Sequence, residues 1–319
     1  MYRIGIDLGG TNIAAGIVNE NFEIIHKDKV PTLSARPNEE IVADMAMLCK
    51  RIVADAGLTF ADIDAVGVVS PGVVDDVKGE VVFAGNMGFK NFPLVPLLKT
   101  MLPVEKIYIE NDANAAAWGE AIAGAAKGSR TSVMITLGTG VGGGIVDNGK
   151  LYKSFNSAAG ELGHIVIEVD GRPCTCGRRG CWEAYSSATG LIKMTEEKLK
   201  ECEAEGRETL MTEIVRERGK VSGRTAFDAM RRGDAAAKEV VDLYVKYLAV
   251  GLTNMINIFQ PEVLSIGGGV SNEGQFLLDL VSPIVHREKF GSGLFQSTEL
   301  RIAQLRNDAG IIGAAVLGM

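Results

Sequence analysis

Aromatic residues make up only 6% of this 319-residue chain, and two of them are tryptophan. No stretch alternates basic and aromatic side chains, and 40 acidic residues face 33 basic ones for a formal net charge of −7. Sequence-independent nucleic-acid binding needs basic surface to displace condensed counterions, so no nucleic-acid partner is expected. Long apolar runs are missing as well. None approaches the ~18 consecutive residues of a membrane-crossing helix, so no membrane partner is expected either. The strand-like opening Arg3-Ile4-Gly5-Ile6 meets Asp7 at once, which breaks any signal-peptide pattern and implies a cytoplasmic protein. Histidine numbers three and cysteine five. At this length about two domains are expected, each able to bury its own core.

The scarce ligating residues are concentrated. One of the three histidines and three of the five cysteines fall between Gly160 and Glu183. The stretch reads Gly160-Glu161-Leu162-Gly163-His164, then Cys174-Thr175-Cys176-Gly177-Arg178-Arg179-Gly180-Cys181-Trp182-Glu183. One imidazole and three thiolates are the ligand set of a closed, tetrahedral Zn²⁺ site. A disulfide would leave one cysteine over, and redox pairs are usually spaced Cys-x-x-Cys rather than Cys-x-Cys. Four protein ligands leave no open position for a reacting water, so the zinc would be structural. Glu161 and Glu183 flank the knot, which would hold two acceptor groups in one place. Cys49 and Cys202 stand alone and read as small apolar residues.

Glycine clusters organise the rest. Ile4-Gly5-Ile6-Asp7-Leu8-Gly9-Gly10-Thr11-Asn12 runs on to Val18, and reads as strand, tight turn and strand, with a third strand at 22–25. Ser132–Leu137, Gly138-Thr139-Gly140 and the run to Asp147-Asn148-Gly149 repeat that layout, which suggests two copies of one unit. Between them the pattern predicts an amphipathic helix. Asn38 caps it, Ile41, Val42, Met45, Leu48, Ile52 and Val53 form its apolar stripe, and Gly57 ends it. Residues 66–69 and 107–109 read as buried strands. Residues 193–217 read as solvated helices, 235–259 as a long amphipathic helix, and 263–266 as a strand before Gly267-Gly268-Gly269. The alternation gives an α/β protein of two domains with mixed sheets.

Two phosphate motifs nearly match. Gly144-x-x-x-x-Gly149-Lys150 lacks the Ser or Thr of a P-loop, since Leu151 follows, and it reads as a hairpin. Gly138-x-Gly140-x-x-Gly143 fits a dinucleotide fingerprint but runs into a strand rather than a helix. What is left is a pair of glycine-rich turns with threonine hydroxyls, each able to aim backbone N–H groups at an anion. Asp112 is the candidate for chemistry. It follows the strand ending Ile107-Tyr108-Ile109-Glu110-Asn111 and precedes an alanine-rich helical run, at the strand end where α/β sheets bind ligands. An N-cap role for Asp112 or Asn114 is the competing reading.

The ordered set Asp7-Leu8-Gly9-Gly10-Thr11, Ser70-Pro71-Gly72, Glu110-Asn111-Asp112-Ala113-Asn114, Gly138-Thr139-Gly140, Gly160-Glu161-x-Gly-His164 and Cys174-x-Cys176-Gly-x-x-Gly-Cys181-x-Glu183 resembles the ROK sugar kinases. The likeness runs over essentially the whole chain and is greatest to bacterial glucokinases. It implies a two-domain actin-like, ribonuclease-H-like ATPase fold with an inter-domain cleft. The domains would be 1–115 plus 306–319, small, and 116–305, large and carrying the zinc motif. Residues 307–318 would return to the first domain as a helix.

The resemblance also implies roles. Asp112 would be the general base for a hexose hydroxyl attacking the γ-phosphate of ATP. Asn86, Asn111, Asp112, Glu161, His164 and Glu183 would bind the sugar, with His164 serving zinc as well. Gly9, Gly10, Thr11, Gly138, Thr139 and Gly140 would hold the phosphates, Asp7 would stand near Mg²⁺, and Gly268 and Gly269 would approach the adenosine. ATP, Mg²⁺ and structural Zn²⁺ are the implied cofactors, and a homodimer or homotetramer the implied assembly. Gly85-Asn86-Met87-Gly88-Phe89 departs from the Asn-Leu-x-Trp common in glucokinases. That departure bears against glucose and not against a sugar kinase, so the expectation is the whole group of hexose acceptors, with glucose leading mannose, fructose, N-acetylglucosamine and N-acetylmannosamine. Sugar-responsive repressors share the sugar-binding fold, but they need a DNA-binding helix-turn-helix ahead of the position of Asp7, and the acidic balance opposes that reading. A non-catalytic sugar sensor is the remaining rival.

Overall fold

The computed structural model of the chain describes residues 1–85 and 87–319. Packing divides these into two units, Met1–Ser132 with Gly144–Gly160 and Gln304–Met319, and Val133–Gly143 with Glu161–Ala303.

The first unit begins with β1 (Tyr2–Leu8), β2 (Asn12–Val18) and β3 (Ile24–Pro31), an antiparallel meander. The third strand starts later than the sequence suggests, because Asn19 closes a turn first. Its Oδ1 accepts the amides of Asn21 and Glu23, both at 2.9 Å, and Phe22 takes φ 64°. Helix α1 (Asn38–Asp55) buries the whole expected stripe, Ile41, Val42, Met45, Leu48, Ile52 and Val53. Burying each such side chain stabilises the fold by roughly 1.5–3 kcal/mol. Asn38 does not cap it. Pro37 holds the cap position without a side-chain bond, and Asn38 is already helical. Next come β4 (Ile63–Ser70), a small antiparallel sheet of β5 (Val73–Asp75), β6 (Glu80–Ala84) and β7 (Phe89–Phe92), then α2 (Leu94–Met101), β8 (Ile107–Asn111) and α3 (Asp112–Ala123).

The main sheet has the order β3-β2-β1-β4-β8, with β1, β4 and β8 parallel. This is the ribonuclease-H-like arrangement. The sequence places a domain boundary at 115/116, but α3 groups with the first unit. The reason is the C-terminal helix, whose Gly313 packs so closely that a Cβ there would lie 2.0 Å from Ala115 O on α3.

Next come β9 (Ser132–Leu137) and β10 (Val141–Asp147), of which residues 133–143 belong to the second unit. Beyond β10, Asn148 and Gly149 take φ 49° and 72° and turn the chain into β11 (Lys150–Leu151), with Asp147 opposite Lys150. Positive φ at both central residues suits a hairpin, and the near-match to a P-loop is this turn. Helices α4 (Glu183–Ser186), α5 (Ala188–Glu205), α6 (Leu210–Arg218), α7 (Thr225–Arg231) and α8 (Ala235–Phe259) follow. α8 begins where Asp234 accepts the amide of Ala237 at 2.7 Å. Then come β12 (Val263–Gly267), α9 (Gln275–Glu288), β13 (Glu299–Ile302) and, back in the first unit, α10 (Ala309–Ala315). The second sheet runs β11-β10-β9-β12-β13. Among the described residues no helix is long and apolar enough to cross a membrane.

α10 docks on the first sheet because two strand positions carry no side chain. A Cβ on Gly5 would sit 1.8 Å from Ile311 O, and one on Gly67 1.8 Å from Ala314 O.

Candidate active site and metal cluster

Parallel pairing of β1, β4 and β8 brings their carboxyl ends to one edge. Asp7 pairs with Val69, Val69 with Glu110, and Ser70 with Asn111. The chain leaves β8 directly into α3, so Asp112 stands at that edge on the first helical residue. Asn111, not Asp112 or Asn114, is the N-cap. Its Oδ1 accepts the amides of Ala113 at 2.9 Å and Asn114 at 3.2 Å, and its Nδ2 donates to Gly72 O at 2.9 Å. The competing cap reading of Asp112 therefore falls away. Asp7 and Asp112 feel one another. Burial, and then the charge of Asp112, push the Asp7 carboxyl up to about 6. The half-buried Asp7 and the exposed Asp112 are carboxylates whose oxygens suit a hard cation.

Gly9-Gly10-Thr11 joins β1 to β2, and the turn is closed by Gly9 N donating to Asn12 O at 3.0 Å. Thr32 secures it from the end of β3. This fully buried residue donates Oγ1 to Gly9 O at 2.6 Å and its amide to Thr11 O at 2.9 Å. Gly310 leaves the space that Asp7 occupies, since a Cβ there would lie 2.3 Å from Asp7 Oδ2. Neither Thr32 nor Gly310 is legible in the sequence, because both act on residues remote along the chain and sit in no motif.

The matching turn of the second unit, Gly138-Thr139-Gly140, is closed by Gly138 N donating to Gly140 O at 3.0 Å. α5 holds it, with Ala188 N on Gly138 O at 2.8 Å and Thr189 Oγ1 on Thr139 O at 2.7 Å. Gly268 takes φ 80° and lies against β9, where a Cβ would meet the backbone of Leu137 at 2.6 Å. Gly269 opens a short 3-10 turn. The two glycines thus stand beside the turn 138–140.

His164, Cys174, Cys176 and Cys181 converge, with one ligand atom from each and all within 4.8 Å of one another. Cys176 and Cys181 Sγ are 3.7 Å apart. That is too far for a disulfide, and it matches the ~3.8 Å edge of a tetrahedron with Zn–S bonds of ~2.3 Å. The backbone amide of Arg178 holds the Cys176 thiol below its ordinary value, while Cys181 is shifted the other way. Burial first, then Cys176 and Cys174, push Cys181 up to about 12. The residues therefore fit a thiolate-binding metal. Gly180 makes the loop possible, with φ 75° and a missing Cβ that would fall 1.7 Å from Glu168 O. Trp182, fully buried, anchors the loop to α8 through Nε1 to Tyr247 O at 3.2 Å.

The flanking acceptors are placed by the same loop. His164 presents Nδ1 to Cys174 Sγ at 3.6 Å and Nε2 to Glu161 Oε2 at 4.0 Å. One ring nitrogen thus faces the thiols and the other a carboxylate. Glu183 accepts Val141 N through Oε2 at 3.0 Å and Thr175 Oγ1 through Oε1 at 3.1 Å. Asn86, the remaining candidate for the sugar, lies outside the described residues.

The chain matches the family model described as ROK family over residues 3–319. It is 36% identical to a glucokinase of Halalkalibacterium halodurans, across 99% of this chain and 94% of that one. A solved ROK family glucokinase of Streptomyces griseus, in complex with glucose and AMPPNP, superposes with a TM-score of 0.82 at 33% identity, covering 99% of both chains. A xylose repressor of Bacillus spizizenii is 28% identical, across 98% of this chain and 75% of the repressor.

Proposed function

The chain belongs to the ROK family, and from that membership we propose that it transfers the γ-phosphoryl group of ATP to a hexose, glucose before others, with Asp112 as general base. The observation that carries this reading is the register of β1, β4 and β8, which sets Asp7 and Asp112 at one sheet edge beside the turn 9–11. A ligand complex containing glucose and an ATP analogue in a relative of the same fold supports it.

Phosphoryl transfer asks mainly for positioning and charge stabilisation. Asp112, whose Oδ1 also accepts the amide of Ala113 at 2.9 Å, would accept the proton of the sugar hydroxyl as its oxygen bonds to the γ-phosphorus and the bond to the ADP oxygen breaks. Asn111, Glu161, His164 and Glu183 supply amide, carboxylate and imidazole groups suited to neighbouring hydroxyls, and Asn86 is proposed to join them. Gly9, Gly10 and Thr11, and Gly138, Thr139 and Gly140, offer backbone N–H groups and hydroxyls to phosphate oxygens. Asp7 would hold Mg²⁺, which neutralises phosphate charge when bound. His164, Cys174, Cys176 and Cys181 would hold Zn²⁺, which fixes the loop from Glu161 to Glu183. Gly268 and Gly269 are proposed to approach the adenosine.

A coupled assay with ATP and a panel of glucose, mannose, fructose, N-acetylglucosamine and N-acetylmannosamine tests the reading. The highest kcat/KM is expected for glucose. Turnover of no hexose, with glucose still bound, would identify a sugar sensor instead.

A further inference from the structure

Glu110 is fully buried at the end of β8, two residues before Asp112. Its Oε1 accepts the amide of Asn111 at 3.0 Å and Nδ2 of Asn114 at 3.1 Å, so it ties the last strand residue to the first turn of α3. Its Oε2 lies 2.8 Å from Lys153 Nζ, which also reaches Asp76 Oδ2 at 2.7 Å. Asp76 Oδ1 in turn accepts Ser157 Oγ at 3.0 Å. The segment carrying the lysine is bent to make these contacts, with Ser154 and Ser157 at φ 65° and 57°. Non-glycine residues persist in that region when their surroundings hold them there.

A carboxylate withdrawn from water costs several kcal/mol unless a cation pairs with it. Burial disfavours the Lys153 ammonium, but Glu110 and Asp76 together outweigh that and raise its pKa above the ordinary lysine value. Take the cation away and Glu110 is left as an uncompensated buried charge, which such a site relieves by protonation or by opening to water. Either response weakens the acceptor on which Asn111 N and Asn114 Nδ2 depend.

We propose that Lys153 is a positioning residue for phosphoryl transfer, holding Glu110 in place at the β8–α3 junction on which Asp112 stands. The proposal rests on Asp112 being the base. Neither Lys153 nor Glu110 touches a reacting atom in this scheme.

The test uses the full chain with Lys153→Met, Lys153→Arg and the double change Lys153→Met/Glu110→Gln. Misplacing a reacting group by ~1 Å costs on the order of 10²-fold, so Lys153→Met is expected to lower kcat about 10-fold or more while KM for ATP moves less than about threefold. Lys153→Arg should recover most of the loss. The double variant should outperform Lys153→Met, because the uncompensated charge is gone. Amide hydrogen exchange at Ala113 and Asn114, which needs no turnover, should accelerate in Lys153→Met. If that variant does not fold, the arginine and double variants carry the comparison against wild type. A kcat within about twofold of wild type in Lys153→Met, a double variant no better than Lys153→Met, or unchanged exchange at Ala113 and Asn114 overturns the proposal. A wild-type chain active on no hexose defeats the kinase reading instead, and the exchange result then decides alone whether Lys153 holds the junction.

Discussion

Glu183 and Val141 are joined by a carboxylate-to-amide hydrogen bond of 3.0 Å, which ties the end of the cysteine loop to the first residue after the turn 138–140. The turn has no room for a side chain on that flank, since a Cβ on Gly140 would lie 2.3 Å from Glu183 Oε2. In the sequence these segments are more than forty positions apart, and loss of metal would be expected to spare ATP. The bond changes that expectation. Cys176→Ser or Cys181→Ser should lose the ion, lower Tm and raise KM for glucose. A smaller but measurable rise in KM for ATP should follow, because the Glu183 carboxylate no longer braces Val141. Elemental analysis of protein purified without chelator should find about one zinc per chain in wild type and almost none in the variants. An unchanged ATP KM in zinc-free protein would show the bond to be idle.

Asp112→Asn keeps the shape of the side chain and removes proton acceptance. It should lower kcat roughly 10²–10⁴-fold while glucose still binds, as read by a coupled assay and by calorimetry. Retention of more than about a tenth of wild-type kcat would remove Asp112 from the role of base.

Asp7 ties stability to pH. Its folded carboxyl titrates near about 6 against 3.8 when unfolded, so between these values the folded state binds the extra proton. Stability from this group is therefore full below pH ~3.8 and is lost as pH rises through ~6. At pH 7.5 the charged Asp7 costs on the order of 2–3 kcal/mol, and Asp7→Asn should be more stable than wild type there by up to that amount. The same variant should turn over ATP far more slowly. Urea unfolding at pH 5 and 7.5 reads the first effect, and equal stabilities at pH 7.5 would contradict it.

Gly5→Ala and Gly67→Ala each place a methyl 1.8 Å from a carbonyl oxygen of α10. Backbone cannot yield as a side-chain tip can, so each should cost about 1–3 kcal/mol or more and loosen the C-terminal helix. Limited proteolysis should cut after residue 304 faster in these variants, and an unchanged digestion pattern would count against tight docking.

Local pattern and chemistry determined much of this molecule from the sequence. The α1 stripe is legible because apolar spacing alone selects the buried face, and α8 because a long apolar period marks it. His164 and the three cysteines are legible because few ligand sets suit so short a loop. Asp112 stands out because a strand that ends in Asn-Asp before an alanine run must expose those residues at a sheet edge. Tertiary structure decided which residue caps α3, since Asn111 and Asp112 are both good caps by propensity and it is Asn111 that Gly72 O and Glu110 Oε1 hold in place. It decided that Glu183 braces Val141, that Thr32 closes the turn 9–11, and that Lys153 faces the buried Glu110. It also moved α3 into the first unit, against a boundary drawn from motif positions. Each of these depends on contacts between residues far apart in the chain, where geometry rather than residue type selects the partner.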